Sequence, residues 1–355
     1  MWAMIVKEFR QVRRDRRTLA MMIVLPILLL VVLGYAASFD VPTITVAAAG
    51  PQASSVSGLL RAPFSVVSQE PDQGRDWAQN QLRDGRANVA VVTGGSRPEV
   101  LIDGSQLFAA RATLAALAKL ENTVSPAGTT ATAAVASPEV TVLYNPDLNT
   151  SDIMIPGLAG VVLVFIGTII TSLGVVRERQ SGTLEQLAVM PLRPRDVFLG
   201  KIVPYFAVAA VDLAIVLAVG IAVFGVPFRG SPAVFGLGAL LFLFVTLGIG
   251  VLISSVSQNQ GQAIQLAVMT LLPQILLSGL IFPLRSMPIG VRWLGYLLPL
   301  TYFTQISRGV MLRGAPLTAL WSPFGYLALL GAVVVVFAIL RFRRFLAPAA
   351  RRGHR

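Results

Sequence analysis

Several residue types on which enzymes rely are missing or nearly missing from this chain of 355 residues. It has no cysteine, which excludes disulfide bonds, thiolate nucleophiles and zinc sites built from cysteine. Its one histidine, His354, stands next to the last residue, so multi-histidine metal sites and histidine-based hydrolysis in the body of the chain are excluded too. These absences predict a non-catalytic protein with no cofactor or metal of its own.

A loop that cradles nucleotide phosphates is absent as well. Such a loop has the pattern G-x-x-x-x-G-K-[ST], and lysine occurs in this chain at positions 7, 119 and 201. Gly200 and Lys201 are followed by Ile202, and no glycine stands five residues before Gly200. The chain therefore does not bind ATP through this motif.

Charged residues are scarce, and long apolar runs take their place. Only 13% of the residues are charged and 55% are hydrophobic, whereas soluble proteins carry about 25% charged residues. The composition predicts an α-helical polytopic membrane protein. Six segments have the roughly 20 apolar residues that a spanning helix needs. They cover residues 18–38, 153–176, 202–226, 232–256, 262–283 and 318–340.

The net charge of +12 is concentrated beside these apolar segments. Six basic residues lie in 1–17, five in 177–201 and six in 341–355, and basic flanks of this kind mark the cytoplasmic side of a membrane. We therefore predict that both termini are cytoplasmic, that the flanks contact membrane lipids and that the chain does not bind nucleic acid. Residues 1–17 are expected to form an amphipathic interface helix, and 342–355 a basic cytoplasmic tail.

Two features leave alternatives open. The segment 284–317 would lie outside although it contains four arginines, against the charge rule, and a re-entrant pair of half-helices there would keep the same topology. The first span, 18–38, also resembles a secretory signal, but its run of about 21 apolar residues exceeds the usual run of roughly 7–15. Cleavage would leave five spans and place the two mature termini on opposite sides of the membrane, so we predict that the segment is retained.

Residues 39–152 differ in composition from the rest of the chain. They carry seven basic and eleven acidic residues, a net charge of −4 against +16 elsewhere. Alternating or β-branched runs, typical of strands, are separated by helical patterns in the order β-α-β-α-β-β-α-β. This order predicts an α+β domain, and because both of its ends lead to outward-facing ends of spans, we expect the domain to be extracytoplasmic.

Asp212 lies about ten residues into the third predicted span, near the middle of the membrane. An ionisable residue at that depth is a candidate functional site by default. One interpretation is a contact with a cationic substrate or a hinge in the transport path. The other is a protonated or hydrogen-bonded side chain packed against another helix. No second intramembrane carboxylate accompanies Asp212, which excludes aspartyl-type proteolysis.

The segment 177–201, RERQSGTLEQLAVMPLRPRDVFLGK, joins two predicted spans and is much longer than a turn. Thr183 and Gln186 have the spacing of a capping box, and the residues that follow place their apolar side chains on one face. The predicted helix lies near 181–191 and ends at Pro191. It either anchors the bundle at the membrane surface or fits a groove on a cytoplasmic partner.

Several stretches give the sequence a family resemblance. VLYNPDLNTSDIMIPGLAG (142–160) resembles the entry to the second span, and 177–201 resembles a coupling-helix segment. LSGLIFPLRSMPIGVRWLGYLLPLTYFTQISRGVMLRG (277–314) is similar to a fifth span followed by outer half-helices, and VLIDGS (100–105) fits as well. Together these stretches resemble the permease subunit of type-2 ATP-binding-cassette (ABC) exporters, in the subgroup with a large outer domain after the first span.

The resemblance implies a fold of six transmembrane helices with an inserted α+β extracytoplasmic domain. Five of the helices would lie in 153–341, with outer half-helices near 284–314. The chain would export a drug, lipid, natural product or ion across the cell membrane, with a separate ATPase subunit that binds ATP and Mg. A second permease copy, as a homodimer, or a related permease would complete the assembly. The residues implied to dock into the ATPase are Glu178, Gly182, Thr183, Leu184, Glu185, Leu187, Pro191 and Leu192.

Two other classes of function remain as alternatives. A self-contained secondary transporter or channel would need several intramembrane charges or an inverted repeat, and Asp212 is the one clearly central charge. A membrane-anchored receptor or assembly protein would bind a ligand through its outer domain, and two spans would suffice to anchor it.

Overall fold

The computed structural model describes residues 43–95, 97–124, 138–181 and 194–346. The predicted interface helix, the predicted first span, most of the predicted coupling helix and the tail beyond residue 346 lie outside these ranges. The described residues form a five-stranded sheet with its connecting helices, followed by a series of mostly long helices.

The strands occupy the first part of the described chain. They are β1 (Ile44–Ala49), β2 (Phe64–Glu70), β3 (Val89–Val92), β4 (Glu99–Asp103) and β5 (Glu139–Leu143). Their order in the sheet is β2-β1-β3-β4-β5, and neighbouring strands are parallel except for β3 and β4, which are antiparallel. Parallel neighbours need crossover connections, and helices between the strands supply them.

Three helices, α1 (Ala53–Leu59), α2 (Arg75–Arg83) and α3 (Leu107–Val124), connect the strands. The order along this segment is β-α-β-α-β-β-α-β, as the sequence predicts. β1 is buried along its whole length, which suits a central strand covered on both faces. Its alternate side chains enter two separate cores, because Leu82 of α2 packs on one face and Ala110 of α3 on the other.

The second part of the chain is helical. Its helices are α4 (Thr150–Val164), α5 (Thr171–Gln180), α6 (Pro194–Phe224), α7 (Pro232–Val256), α8 (Gln260–Leu277), α9 (Ile289–Tyr296), α10 (Pro299–Met311) and α11 (Trp321–Leu346). A π-helical segment, Phe165–Ile170, joins α4 to α5 without a break. A 3-10 turn, Leu284–Ser286, precedes α9. Residues 284–314, predicted to be half-helices, contain this turn, α9 and α10.

Among the described residues, four helices are long and apolar enough to cross a membrane. They are Thr150–Glu178, Pro204–Phe224, Pro232–Val256 and Trp321–Ala338. These helices are those of a multi-pass membrane protein, and each overlaps a predicted span. The span predicted at 262–283 is not among them, because α8 ends at Leu277 and carries four glutamines that lower its hydropathy. Four of the five predicted spans that fall within the described residues therefore appear as candidate spans, and the predicted span 18–38 lies outside those residues.

Two of the four helices form the centre of the helical part. In both Thr150–Glu178 and Pro232–Val256, 61% of the most apolar stretch is buried. In Pro204–Phe224 the buried share is 17%. Where the central helices cross, a β-carbon on Gly250 would collide with the carbonyl oxygen of Gly167. The glycines therefore allow the two backbones to approach more closely than any other residue would, as small residues do in membrane helix pairs.

We predict that Gly250→Ala separates the central helices and destabilises the protein by about 1–3 kcal/mol, the usual range for overpacking. Gly236→Ala in the same helix is the matched control, because a β-carbon there meets no atom within 4 Å. The control should unfold at or slightly above the wild-type temperature, since alanine favours the helix. Thermal unfolding in detergent measures both variants, and equal unfolding temperatures would contradict the close backbone contact.

Candidate functional site

One uninterrupted helix leads into the predicted coupling segment. α4, the π-helical segment and α5 run from Thr150 to Gln180, and Glu178, the first of the predicted coupling residues, lies in the last turn. The remaining predicted coupling residues lie outside the described residues: Gly182, Thr183, Leu184, Glu185, Leu187, Pro191 and Leu192. Glu178 and the start of the helical segment that follows the sheet therefore belong to one continuous helix.

The π-helical segment lies in the middle of this helix. Within it, Thr168 donates a hydrogen bond from Oγ1 to the carbonyl oxygen of Val164 at 2.6 Å. Thr168 is fully buried, as are Thr171 and Ser172 in the turn that follows. π-helical turns are rare, occur frequently at functional sites and interrupt the regular hydrogen-bond ladder at points where helices bend. Together with Pro156 in α4, the segment therefore interrupts the regular α-helical hydrogen-bond ladder between Thr150 and Gln180.

A second turn contacts the end of α5 beside the predicted coupling segment. Gln260, the first residue of α8, donates from Nε2 to Oε1 of Gln180 at 2.9 Å. The turn itself is capped, because Asn259 Oδ1 accepts a hydrogen bond from the backbone N–H of Gln262 at 2.9 Å. The turn between α7 and α8 is therefore attached to the helix that enters the predicted coupling segment.

Asp212 lies on α6, and no hydrogen bond or ion pair among the described residues connects it with α5 or α8. Its side chain is partly exposed and has no hydrogen bond or ion pair with another described residue. Val208, Val211 and Ile215, close to it in the helix, are all more than half exposed. Within the described residues, the interpretation of Asp212 as a hydrogen-bonded packing contact thus finds no partner.

At the other end of the helices, Arg308 of α10 joins three elements. Its Nε donates to the carbonyl oxygen of Ile153 in α4 at 3.2 Å. Its Nη1 and Nη2 donate to the carbonyl oxygens of Gly279 and Leu280, just after α8, at 3.2 and 3.0 Å. Hydrogen bonds from a charged donor are stronger than neutral ones. Arg308 therefore connects the start of the Thr150–Glu178 helix with α10 and with the end of α8.

Arg313, two residues after α10, connects the helices to the sheet. Its Nη1 lies 3.5 Å from Oδ2 of Asp103 at the end of β4, and the two side chains are 9% and 1% exposed. The backbone N–H of Ser105 donates to Oδ1 of Asp103 at 2.9 Å. Burial raises the pKa of the Asp103 carboxyl, while the charge of Arg313 and the hydrogen bonds with Ser105 act in the opposite direction. Separating such a pair would leave a buried charge without its partner.

A further arginine contacts the sheet close by. The guanidinium group of Arg229 lies 5.9 Å from the ring centre of Tyr144, the residue after β5. The backbone N–H of Arg229 donates to the carbonyl oxygen of Met311 at 2.9 Å. Burial raises the pKa of the Tyr144 hydroxyl to about 12. The connection between α6 and α7, the end of α10 and the end of β5 therefore meet in one place.

Arg308, Arg313 and Asp103 are not among the site residues predicted from the sequence. Two signals pointed to them: the charge rule does not explain the arginines of 284–317, and VLIDGS (100–105) contains the buried carboxylate. In the structure, backbone carbonyl oxygens accept the hydrogen bonds of Arg308, and Asp103 pairs with Arg313.

The four long apolar helices indicate the class of protein to which the chain belongs. The chain is a multi-pass membrane protein, and its described residues contain no cluster of three or more His, Cys, Asp or Glu side chains that could hold a metal ion. Comparison with known families then settles its membership. Residues 16–340 match the family described as ABC-2 family transporter protein, and the chain belongs to that family.

Three similar proteins illustrate the family. The chain is 37% identical over 201 residues to the Probable multidrug ABC transporter permease YbhR of Escherichia coli (strain K12), a match that covers 57% of this chain and 55% of YbhR. It is 29% identical over 340 residues to the Probable multidrug ABC transporter permease YbhS of the same organism, covering 88% of each. It is 30% identical over 212 residues to ABC transporter G family member 20 of Dictyostelium discoideum, covering 59% and 28%. The match thus spans about half the length of YbhR.

We predict that Asp103→Asn and Arg313→Met each destabilise the protein by about 3–5 kcal/mol, because each leaves one member of a buried pair unmatched. The double variant should lose less stability than the two single variants added together, since it removes both members of the pair. Arg75→Met is the control, because Arg75 pairs with Glu99 on the surface, where its side chain is 53% exposed. Thermal unfolding measures the stability of all four variants. Additive losses of stability in the double variant would contradict the coupling between Asp103 and Arg313.

Proposed function

We propose that this chain is the non-catalytic permease subunit of an ATP-driven ABC exporter. Its substrate class would be a drug, a lipid, a natural product or an ion. Membership of the ABC-2 family supports the proposal, as do relatives named multidrug ABC transporter permease. Because the chain lacks the phosphate-binding loop pattern, a separate ATPase subunit would bind ATP and Mg and hydrolyse the ATP.

In the proposed arrangement, six spans cross the cell membrane, both termini are cytoplasmic, and the sheet with α1–α3 lies outside. The four apolar helices and the basic residues of 177–201 support it. α6 and α11 present exposed apolar side chains along much of their length, which offers surface to lipid, to the first span and to a second permease copy. We propose a homodimer, with a pair of related permeases as the alternative.

The observation that carries the proposal is the continuous helix Thr150–Glu178. One end enters the segment predicted to dock into the ATPase, and the other is hydrogen-bonded to Arg308. When the ATPase subunits close on ATP, they would press on the coupling helix near 181–191. The Thr150–Glu178 helix would then pass the displacement to α10 and, through Arg313 and Asp103, to the sheet.

This account is favoured over a self-contained secondary transporter or channel. Transport driven by an ion gradient usually requires several charged residues within the membrane. In the four candidate spans, Asp212 is the one Asp, Glu, Lys or Arg away from a helix end. A receptor that uses its helices only as an anchor is also less favoured, since the buried pair Arg313–Asp103 would then serve no purpose beyond attachment.

We predict that Glu185→Arg combined with Leu187→Asp releases the ATPase from the permease, because these substitutions reverse a charge and place another on the apolar face of the coupling helix. The protein is solubilised from its own host, captured, and the eluate assayed for ATPase activity. Glu70→Arg with Val67→Asp is the matched control on β2, where Val67 is 50% exposed. The control should retain the ATPase. The ATPase activity that elutes with the coupling variant should fall at least about tenfold, because loss of a docking contact of about 1.4 kcal/mol or more weakens binding by that factor.

A wild-type permease that elutes without any ATPase from mild detergent would contradict the proposed function. Transport driven by a proton or ion gradient in liposomes would then support the secondary transporter instead.

We also predict that Asp212→Asn slows the efflux of cationic dyes by about tenfold, because a contact with a charged group contributes about 1.5–3 kcal/mol. Efflux is followed by fluorescence in cells that produce the permease together with its ATPase. Asp212→Glu, which keeps the charge, should retain most of the efflux. Wild-type efflux by the asparagine variant would show that Asp212 has no part in the transport path.

A further inference from the structure

A polar cavity of about 480 Å³ lies where the sheet meets the helices that follow α8. Thr45 and Asn88 line it from the side of the sheet, and Gln305 and Arg308 of α10 line it from the opposite side. Its volume falls within the roughly 300–1,000 Å³ that small-molecule sites occupy. The cavity can therefore hold the head group of a ligand between the two parts of the chain.

The lining of this cavity has an excess of positive charge. The arginines that line it are Arg285, Arg308 and Arg313. One carboxylate, Asp84, lines it as well, but its two oxygens lie 3.3 and 3.8 Å from Arg83 and Arg86, which are not part of the lining. Asp103 offsets the charge of Arg313. Among the described residues, no carboxylate offsets the charge of Arg285 or Arg308.

Hydrogen-bond donors remain available on one of these arginines, Arg308. A guanidinium group has five N–H donors. Arg308 uses three of them on backbone carbonyls, which leaves two for another acceptor. Nε of Arg313 has no hydrogen-bond acceptor among the described residues, but it is buried and does not face the cavity, so Arg313 contributes charge and not this donor. Because a planar guanidinium group matches the oxygens of a phosphate, the two unused donors of Arg308 favour a phosphate ligand.

One wall of the cavity continues into a surface suited to lipid. Tyr296, at the end of α9, lines the cavity. Ile289, Trp293 and Leu297 follow one another at four-residue spacing and are 71%, 66% and 64% exposed. Apolar side chains with tryptophan and tyrosine on one exposed face are typical of a helix that lies at the membrane surface. A cavity that adjoins such a face would lie at the level of the lipid head groups.

We propose that this cavity binds the phosphate group of an anionic phospholipid, with Arg308 as hydrogen-bond donor, Arg285 as a second positive charge and the acyl chains along the exposed face of α9. The charge excess selects an anion, the unused donors select a phosphate, and the apolar face selects a ligand with a hydrocarbon body. The proposal does not depend on the proposed transport function, since binding to the purified chain requires neither an ATPase nor transport.

Gln305 offers a test that leaves the arginines in place, because it lines the cavity, is exposed and makes no hydrogen bond with another described residue. Gln305→Glu keeps the size of the side chain and adds a negative charge, whereas Gln305→Lys adds a positive one. Binding of dihexanoylphosphatidylglycerol to the full chain is measured by calorimetry in detergent. We expect the affinity to fall about three- to tenfold in Gln305→Glu and to rise by a similar factor in Gln305→Lys, as one charge at this range would do.

Matched controls and two further probes separate the possible ligands. Gln69→Glu and Gln69→Lys make the same changes on exposed β2, away from the cavity, and should leave the affinity unchanged. Dihexanoylphosphatidylcholine, which is neutral, should bind more weakly, and so should inorganic phosphate, which lacks acyl chains. Equal affinity for inorganic phosphate would replace the lipid with a free anion. If both Gln305 variants bound dihexanoylphosphatidylglycerol with the same affinity as the wild type, the proposed site would be wrong. A higher affinity in Gln305→Lys cannot come from misfolding.

Discussion

The hydrogen bonds of Arg308 are the contact on which the described arrangement of helices depends most. A single side chain reaches the carbonyl oxygens of Ile153, Gly279 and Leu280, which belong to the start of one helix and to the turn after another. Arginine suits this position because its donors are spread over a rigid plane, whereas lysine presents a compact point charge. Carbonyl oxygens after the end of a helix need such donors, since the helix cannot supply them.

From Arg308, contacts continue in both directions along the molecule. In one direction, the Thr150–Glu178 helix passes the π-helical segment, crosses α7 at two glycines and ends at the coupling segment. In the other direction, α10 leads to Arg313, whose partner Asp103 ends the fourth strand. Each connection is a hydrogen bond, an ion pair or a backbone contact. Together they join the sheet to the predicted coupling segment without passing through a free loop.

The sequence predicts the parts of this structure that follow from local patterns. Alternating apolar residues predict the order of strands and helices in the sheet region, and long apolar runs predict the four candidate spans, because both depend on which face of a segment is buried. The glutamines of α8 interrupt such a run, so the apolar pattern of that helix is weaker than in the other four. Arg308 and Asp103 are harder to predict, since their partners lie far along the chain and all three acceptors of Arg308 are backbone carbonyl groups, which carry no sequence signal.

The most direct test of this account follows from the absence of cysteine, which allows spin labels to be placed in pairs without background labelling. Labels at Leu158 and Gln305 report on the connection through Arg308, and labels at Leu158 and Val223 report on α6, which is packed less tightly. Distances are measured by pulsed electron resonance in the permease with its ATPase, before and after trapping with ATP. The account predicts that the Leu158–Gln305 distance stays constant while the Leu158–Val223 distance changes. A change between Leu158 and Gln305 with α6 fixed would contradict it.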